Sequence, residues 1–234
     1  MIYVISDLHG TAPEKLERLL DRAGFGLNDE LYILGDVVDR NGDGGAAMLS
    51  WLLVQPNVWL LLGNHETMLL SCAFAFDEVT DESLSVFTEE KLEHLLLYYS
   101  NGGGVTLDHL KLLPKEDREE IFDYLREAPL YLTVRAGSRN YLLVHSGFAN
   151  FRKDRPLSSY AAEELLWARP AIDERFFDQT VTVFGHTPTA KYGEEYRGRI
   201  LYTDTWIDID VGVGWGEEPV LLRLDDLKEF TLDS

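Results

Sequence analysis

Short apolar runs and helical patterns alternate along the first 63 residues of the chain. Residues 2–5, 31–34 and 58–63 are apolar almost throughout, which is typical of strands buried on both faces of a sheet. Residues 13–23 and 45–55 instead carry apolar side chains at helical spacing. This alternation predicts the order β-α-β-α-β, and therefore an α/β core whose strands lie side by side.

The middle of the chain has a different pattern. Helical patterns occur over residues 66–128 without a convincing strand, and the clearest cover 88–100 and 114–128. Each of these two opens with a start signal and has acids in its first turn, and the glycines at 102–104 interrupt them. We predict a helical lobe at about residues 66–128, inserted between two halves of the core. Aromatic side chains such as Tyr98 are expected in the core of this lobe.

Strand patterns return after the helical region. A hairpin is predicted over residues 130–147, followed by a helix near 161–168 and a strand within 180–188. These strands are expected to complete the core. Three more strands are predicted within residues 199–204, 206–213 and 219–224.

The chain is strongly acidic: 21 Lys and Arg against 41 Asp and Glu give a formal net charge of −20. Clustered basic side chains bind phosphate backbones and anionic lipids, so we predict no nucleic-acid partner and no membrane association. The single cysteine, Cys72, excludes an intramolecular disulfide and fits a reducing compartment. The amino terminus lacks signal-peptide features, and no apolar run reaches the roughly 18 residues of a membrane span. A cytoplasmic location is therefore expected.

Polar side chains follow five of the predicted strands, in the motifs SDLHG, GDVVDRN, GNHE, VHSG and GHTP. Loops at one edge of an α/β sheet form the usual ligand crevice, so these side chains are expected to meet there. Four of the six histidines of the chain fall in these motifs. The side chains delivered to the crevice would be Asp7, His9, Asp36, Asp39, Arg40, Asn64, His65, His145 and His186.

The donor types in these motifs favour a divalent transition metal, because carboxylate, imidazole and amide oxygen occur together without a thiolate. There are enough donors for two ions. Two metals about 3.5–4 Å apart can clamp a phosphoryl group and generate hydroxide near neutral pH. One carboxylate must then bridge the ions, and Asp36 is central in the sequence order. Gly35, Gly63 and Gly185 let the backbone turn sharply just before a ligand.

Together the five motifs resemble the signature blocks of the calcineurin-like metallophosphoesterases, especially the serine/threonine phosphoprotein phosphatases of bacterial and phage type. The motifs run in the family's order from residue 6 to 188. The resemblance implies one α/β domain over residues 1–234, built as a central β-sandwich flanked by helices in α/β/β/α layers. It also implies hydrolysis of phosphomonoesters, in a phosphorylated protein or a small phosphoester, by hydroxide held between two metal ions. Mn²⁺ is the favoured ion, with Fe or Zn as alternatives.

The resemblance also implies a role for each residue. His65 would be the general acid, oriented by Asp39. Arg40 would hold the phosphate oxygens, and Arg169, which follows a tryptophan in LLWARP, would be a second phosphate ligand. The implied metal ligands are Asp7, His9 and Asp36 for the first ion, and Asp36, Asn64, His145 and His186 for the second.

Each of these residues also has a structural explanation when taken alone. Asp7 and Asp36 are suitable helix caps, and a lone His145 would more often be a hydrogen-bonded core histidine. Helix caps do not explain why histidines gather at strand ends, or why Arg40 joins them. The combination therefore favours a functional site.

Two other functions stay open. A diadenosine-polyphosphate hydrolase has very similar motifs, although VDR at 38–40 favours the phosphatase because that relative tends to lack the Asp. A non-catalytic phosphate-binding scaffold is the second alternative. His65 and Asp39 argue against the scaffold, because a binding module has no need of a general acid.

Three further features are expected to be structural. Asn41 replaces a glycine that is usual in the family, and asparagine tolerates a left-handed backbone there. Asp204, Asp208 and Asp210 are expected to point outward from a strand or to orient nearby ligands. The segment GVGWG at 212–216 is not a phosphate loop, since no Lys-Ser/Thr follows it.

Overall fold

Two five-stranded sheets and seven α-helices make up the described part of the chain, residues 1–78, 80 and 87–232 of a computed structural model. The strands are β1 (Ile2–Ile5), β2 (Glu30–Ile33), β3 (Val58–Leu60), β4 (Tyr131–Ala136), β5 (Arg139–Val144), β6 (Thr180–Phe184), β7 (Leu201–Tyr202), β8 (Trp206–Asp208), β9 (Leu221–Arg223) and β10 (Lys228–Phe230). The helices are α1 (Pro13–Ala23), α2 (Ala46–Leu52), α3 (Asn64–Ser71), α4 (Glu89–Ser100), α5 (Gly104–Leu110), α6 (Lys115–Glu127) and α7 (Ala162–Leu166).

The first sheet has the strand order β10-β9-β1-β2-β3. β1, β2 and β3 run parallel, and β9 pairs antiparallel with β1. Side chains alternate between the two faces of a strand, so Tyr3 and Ile5 pack with Leu16 of α1 on one face. Val4 packs on the opposite face, against residues of the second sheet. An all-apolar strand is therefore needed at this position.

The second sheet has the strand order β4-β5-β6-β8-β7. β5, β6 and β8 run parallel, and β4 joins β5 through a tight hairpin. Leu143 faces the first sheet and contributes to the core between the sheets. Leu142 lies on the other face, in an aromatic cluster with Phe148 and Phe176. The resulting α/β/β/α sandwich confirms the predicted fold class.

The ends of the predicted elements agree with the structure at α1 and differ from it at several other elements. Helix α1 begins at Pro13 and ends at Ala23, as predicted, with Gly24 in the left-handed conformation after it. β3 ends at Leu60, three residues before the predicted end. β10 was not predicted: it is three residues long, and only Phe230 of it is buried, so its apolar signal is a single side chain.

The described elements between β3 and β4 are helices, as the pattern over this region predicts. Buried side chains of α4 to α6, such as Tyr98 and Leu107, belong to the same core cluster as Leu16 of α1. Residues 79 and 81–86 of the predicted lobe lie outside the described residues. The division into one domain with an inserted lobe stays a prediction. In the part of the chain that is described, no helix is long and apolar enough to cross a membrane.

Candidate metal centre

The carboxyl ends of β1, β2, β3, β5 and β6 carry the predicted site residues, and the packing of the two sheets brings them together. Arg40 is half-buried, and Arg169 is exposed at the edge of the site. A buried polar group needs a hydrogen bond, an opposite charge or a metal ion. The buried members of the set are Asp7, His9, Asp36, Asp39, Asn64, His65, His145 and His186.

Asp36 lies at the centre of this set. Its Oδ2 is 3.8 Å from Nε2 of His9, and its Oδ1 is 3.4 Å from Nε2 of His145. The two oxygens of one carboxylate thus face two different groups of candidate ligands. In each group the ligand atoms lie within 4.8 Å of one another, and the groups are His9, Asp36 and His65, and Asp36, His145 and His186.

Asn64 completes the second group of donors. Its Oδ1 is 2.9 Å from Nε2 of His145 and 2.9 Å from Nδ1 of His186. Nδ1 of His145 lies 2.7 Å from the carbonyl oxygen of Leu34, to which it donates, so Nε2 keeps its lone pair. Nε2 of His186 is buried without a hydrogen-bond partner among the described residues. These atoms suit a divalent cation.

His9 and Asp7 lie on the other side of Asp36. Nδ1 of His9 donates to the carbonyl oxygen of Val38 at 2.9 Å, and its Nε2 is 3.9 Å from Oδ1 of Asp7. Oδ2 of Asp7 accepts a hydrogen bond of 2.9 Å from the backbone N–H of His186. Both side chains are thereby anchored, and Nε2 of His9 lies between Oδ1 of Asp7 and Oδ2 of Asp36, within 3.9 Å of each.

The electrostatics of the set also suit a cation. Burial lowers the pKa of His9 well below its usual range, and the nearby charge of Arg40 adds to this. Burial raises the pKa of Asp36 well above its usual range, and the charges of Asp7 and Glu66 reinforce the effect. A neutral imidazole is the form that binds a metal, and a bound cation favours the ionised carboxylate. The donor set therefore fits divalent metal ions.

His65 and Asp39 form a hydrogen-bonded pair beside these donors. Nδ1 of His65 donates to Oδ2 of Asp39 at 2.6 Å. Nη2 of Arg40 donates to Nε2 of His65 at 3.0 Å. Burial, with Arg40 and His145 nearby, lowers the pKa of His65 to about 2, so the imidazole is neutral in this arrangement. The structure thus brings together the predicted acid, its orienting carboxylate and the phosphate arginine.

Two residues of the helical region complete the environment of Asp39, and the sequence did not reveal them. Tyr98 donates to Oδ1 of Asp39 at 2.6 Å, and the hydroxyl of Thr106 donates to the same oxygen. Tyr98 is fully buried, as expected, but its hydroxyl lies in the site rather than only in the core. Burial raises the pKa of Asp39 to about 7, and these two donors and Arg40 oppose the rise.

Glu66 is a further residue whose role sequence analysis missed. Its two carboxylate oxygens accept hydrogen bonds from the backbone N–H groups of Asp36, Val37 and Val38, and from that of Gly63, at 2.8–3.3 Å. It lies in the first turn of α3 and is fully buried. One side chain therefore holds the loop after β2 against the loop after β3. The adjacent GNH motif was the available signal.

The backbone of the site is unusual, and the expectation for Asn41 is wrong. Asn41 does not have a positive φ; the left-handed residues beside it are Asp39, Arg40 and Gly42. Such a backbone is uncommon outside glycine, and it is retained where the surroundings enforce it. The predicted site residues with φ between 37° and 76° are Asp7, His9, Asp36, Asp39, Arg40 and His186.

The three aspartates near the carboxyl terminus behave differently from one another. Asp204 points outward, where it pairs with Arg175 at 2.8 Å. Asp208 and Asp210 are buried, so the outward orientation is wrong for these two. Oδ1 of Asp210 instead accepts from the backbone N–H of Gly212 at 3.0 Å and anchors the segment 212–216.

The segment 212–216 covers one side of the site. Gly214 leaves no room for a side chain, because a Cβ there would lie 2.5 Å from Cδ2 of His9 and 2.6 Å from Nη1 of Arg40. The guanidinium of Arg40 lies 5.1 Å from the centre of the Trp215 ring. A cavity of about 520 Å³ opens beside it, lined by Arg40, Arg169, Pro170, His186, Thr187, Pro188, Lys191, Tyr192 and Trp215.

Curated relatives of the chain are bacterial enzymes named bis(5'-nucleosyl)-tetraphosphatase, symmetrical. The protein from Acidovorax sp. (strain JS42) is 30% identical over 166 residues, which are 70% of this chain and 47% of the relative. The chain thus spans about half the length of that relative. The protein from Dechloromonas aromatica (strain RCB) is 23% identical over 99% of this chain and 95% of its own length.

Solved structures with the same fold include a candidate diadenosine tetraphosphatase, with a TM-score of 0.63 and 19% identity over 99% of this chain and 92% of the other. A serine/threonine phosphatase from Saccharomyces cerevisiae, with similarity to human PP5, has a TM-score of 0.50 and 17% identity over 88% and 65% of the two chains. The family model for calcineurin-like phosphoesterases matches residues 1–211, a range that includes every candidate site residue. The chain therefore belongs to the calcineurin-like phosphoesterase family and is a metallophosphoesterase.

Proposed function

We propose that this enzyme hydrolyses bis(5'-nucleosyl) tetraphosphates. The supporting observation is the cavity beside the candidate metal ligands, whose lining among the described residues includes Arg40, Arg169 and Lys191 and no acidic side chain. In a chain with a net charge of −20, three cations around one cavity favour a substrate that carries several negative charges. The names of the curated relatives point to the same substrate. This choice replaces the phosphoprotein substrate favoured by sequence analysis.

In this proposal the candidate ligands hold two divalent metal ions, and Mn²⁺ is favoured over Fe or Zn. Such ions polarise phosphoryl oxygens and activate water. Water attacks the phosphorus next to the central bridging oxygen, the P–O bond to that oxygen breaks, and two nucleoside diphosphates result. The proposed ligands are Asp7, His9, Asp36, Asn64, His145 and His186.

In this proposal the guanidinium of Arg40 binds either His65 or the phosphate of the substrate. Its guanidinium donates to Nε2 of His65 at 3.0 Å, so that nitrogen holds no proton in the present arrangement. An anionic phosphoryl group attracts this guanidinium and that of Arg169, which lines the same cavity. Nε2 of His65 is then free to accept the proton that the attacking water releases and to pass it to the leaving oxygen, while Asp39 fixes the ring through Nδ1.

One observation favours a second candidate, the hydrolysis of phosphoserine or phosphothreonine in proteins. The 2.6 Å hydrogen bond between His65 and Asp39 orients an acid, and an acid matters most for a strongly basic leaving group. A seryl alkoxide is such a group, whereas the diphosphate released from a tetraphosphate is a far weaker base. The pair therefore suits phosphomonoesters as well.

Turnover of diadenosine tetraphosphate and of a phosphoserine peptide by the Mn²⁺-loaded enzyme tests the proposal. We expect a higher kcat/KM for the tetraphosphate, with ADP as the product. A higher kcat/KM for the phosphopeptide would overturn the proposal and favour the second candidate.

His65→Asn tests the role of the acid in the same assay. It is expected to slow phosphopeptide hydrolysis by about 100-fold or more and tetraphosphate hydrolysis much less, because the leaving groups differ in basicity. His94→Asn, in α4, is the matched control. Equal losses on the two substrates would contradict the assignment of His65 as general acid.

A further inference from the structure

Trp215 lines two neighbouring cavities, and its side chain is largely exposed to solvent. Its side chain is 68% exposed, although it is the largest residue type and sits beside the candidate active site. It lines the cavity of about 520 Å³ next to the metal ligands and also a second cavity of about 280 Å³. Pro188 and Lys191 line both cavities as well, so the two cavities are neighbours that share these three residues.

The position of the Trp215 ring relative to the site is fixed by the backbone. The short turn Val213–Trp215 lies between Gly212 and Gly216, which have φ of 99° and 100°. The N–H of Trp215 donates to the carbonyl oxygen of Gly212 at 2.9 Å. Because Gly214 lies against His9 and Arg40, the turn cannot move inward. The ring is therefore held at a defined distance from the phosphate-binding arginine.

The two cavities differ in their chemistry. The first has the cations described above. The second has an apolar wall that includes Pro188, Ala190 and Val211, and it shares Lys191 with the first. Its remaining charged residues are paired: Arg197 binds Glu194 through Nε and Nη2, and its Nη1 lies 3.5 Å from Glu217. The first cavity thus suits phosphates, whereas the second suits an uncharged, flat group that stacks on an aromatic ring.

We propose that Trp215 and the second cavity form a subsite for the nucleobase of a nucleotide whose phosphates occupy the first cavity. The inference rests on the proposed tetraphosphate activity and assigns the residue that selects nucleosides. Scattered exposed apolar residues are ordinary on a protein surface. Trp215 differs from them because its ring adjoins the guanidinium of Arg40 at 5.1 Å and borders both cavities.

Binding of two inert ligands to the Mn²⁺-loaded enzyme tests this subsite by calorimetry. Adenosine 5'-(α,β-methylene)diphosphate and methylenediphosphonate share a P–C–P group, and only the first carries a nucleoside. Trp215→Ala should raise the Kd of the nucleotide by about tenfold or more, which is the loss expected for one base–aromatic stack. The Kd of the diphosphonate should stay within about twofold of the wild-type value. Trp215→Phe should retain most of the nucleotide affinity because a stacking ring remains.

Trp59→Ala is the matched control, since Trp59 is 47% exposed on β3 and lines neither of these cavities. Equal losses for both ligands in Trp215→Ala, or no loss for either, would overturn the subsite. Failure of the proposed function gives a different result from failure of the subsite. Selective loss of the nucleotide, in an enzyme that cleaves phosphopeptide in preference to tetraphosphate, would support the subsite and reject the tetraphosphate substrate.

Discussion

The hydroxyl of Tyr98 donates a 2.6 Å hydrogen bond to Oδ1 of Asp39, whose Oδ2 accepts from the His65 imidazole at 2.6 Å. Tyr98 belongs to α4, so a helix outside the two sheets touches the proposed catalytic pair. The backbone N–H of Arg40 also donates to the carbonyl oxygen of Gly102, just after this helix, at 3.2 Å. The helical region therefore positions both the carboxylate and the arginine.

Tyr98→Phe is expected to change the pH dependence of the reaction. Burial raises the pKa of Asp39 to about 7, and the Tyr98 hydrogen bond opposes that rise. Removal of the hydroxyl should raise the pKa further, because the ionised carboxylate loses a donor. Ionised Asp39 is expected to be the form that orients His65, so activity falls when this carboxylate is protonated. A higher pKa moves that loss to higher pH, and the acid limb of the pH–rate profile should shift up by about one pH unit.

Tyr99→Phe is the control for this variant, because Tyr99 is the next residue of α4 and is 50% exposed. Rates measured from pH 5 to 9 on phosphoserine peptide give the comparison. An acid limb that stays in place in Tyr98→Phe, with correct folding, would show that the hydroxyl does not influence Asp39.

Glu66→Ala is expected to destabilise the fold strongly. The carboxylate accepts from the backbone N–H groups of Asp36, Val37, Val38 and Gly63, all of them buried. Without it, several buried donors lose their partner, at a cost on the order of 3–5 kcal/mol in the free energy of unfolding. Urea denaturation of the metal-free protein measures this. Glu120→Ala, on the exposed face of α6, is the control, and similar stabilities for the two variants would refute the role of Glu66.

The sequence points to the candidate ligands because each lies shortly after a strand, in a motif that local pattern alone reveals, and their binding of metal stays a prediction. Helix α1 was also predicted from local pattern, because Pro13 and Gly24 mark its two ends. Tyr98 and Thr106 could not be predicted as partners of Asp39, because they are 59 and 67 residues away along the chain. Only the tertiary packing of α4 and α5 against the loop after β2 creates these contacts.

The backbone of the GDVVDRN loop illustrates the same limit. Asn41 was expected to be left-handed, by comparison with a family glycine, but Asp39 and Arg40 adopt that conformation. Their backbone is set by contacts from elsewhere: the N–H of Asp39 bonds to Thr106 at 3.1 Å, and that of Arg40 bonds to Gly102. Residue preference is a weak local term, and distant contacts outweigh it here.

Asp36→Asn is expected to reduce metal binding at both proposed ions. Its two oxygens face His9 and His145 separately, and an amide supplies only one oxygen and no charge. Metal analysis after dialysis against Mn²⁺ should therefore show a loss of more than half of the bound metal. Asp204→Asn, an exposed aspartate, is the control. Retention of the full metal content in Asp36→Asn would rule out a bridging carboxylate.

Gly214→Ala is expected to weaken substrate binding more than it slows the chemical step. The added methyl would meet Nη1 of Arg40 at 2.6 Å and Cδ2 of His9 at 2.5 Å. The arginine is the more flexible of the two, so it should move away from the position where phosphate is proposed to bind. We expect KM for diadenosine tetraphosphate to rise by about tenfold, the loss of roughly one charged hydrogen bond, with a smaller change in kcat. Gly26→Ala is the control, since its nearest neighbour would be 3.9 Å from the new methyl. An unchanged KM in Gly214→Ala would show that Arg40 tolerates the crowding and does not depend on the segment 212–216 for its position.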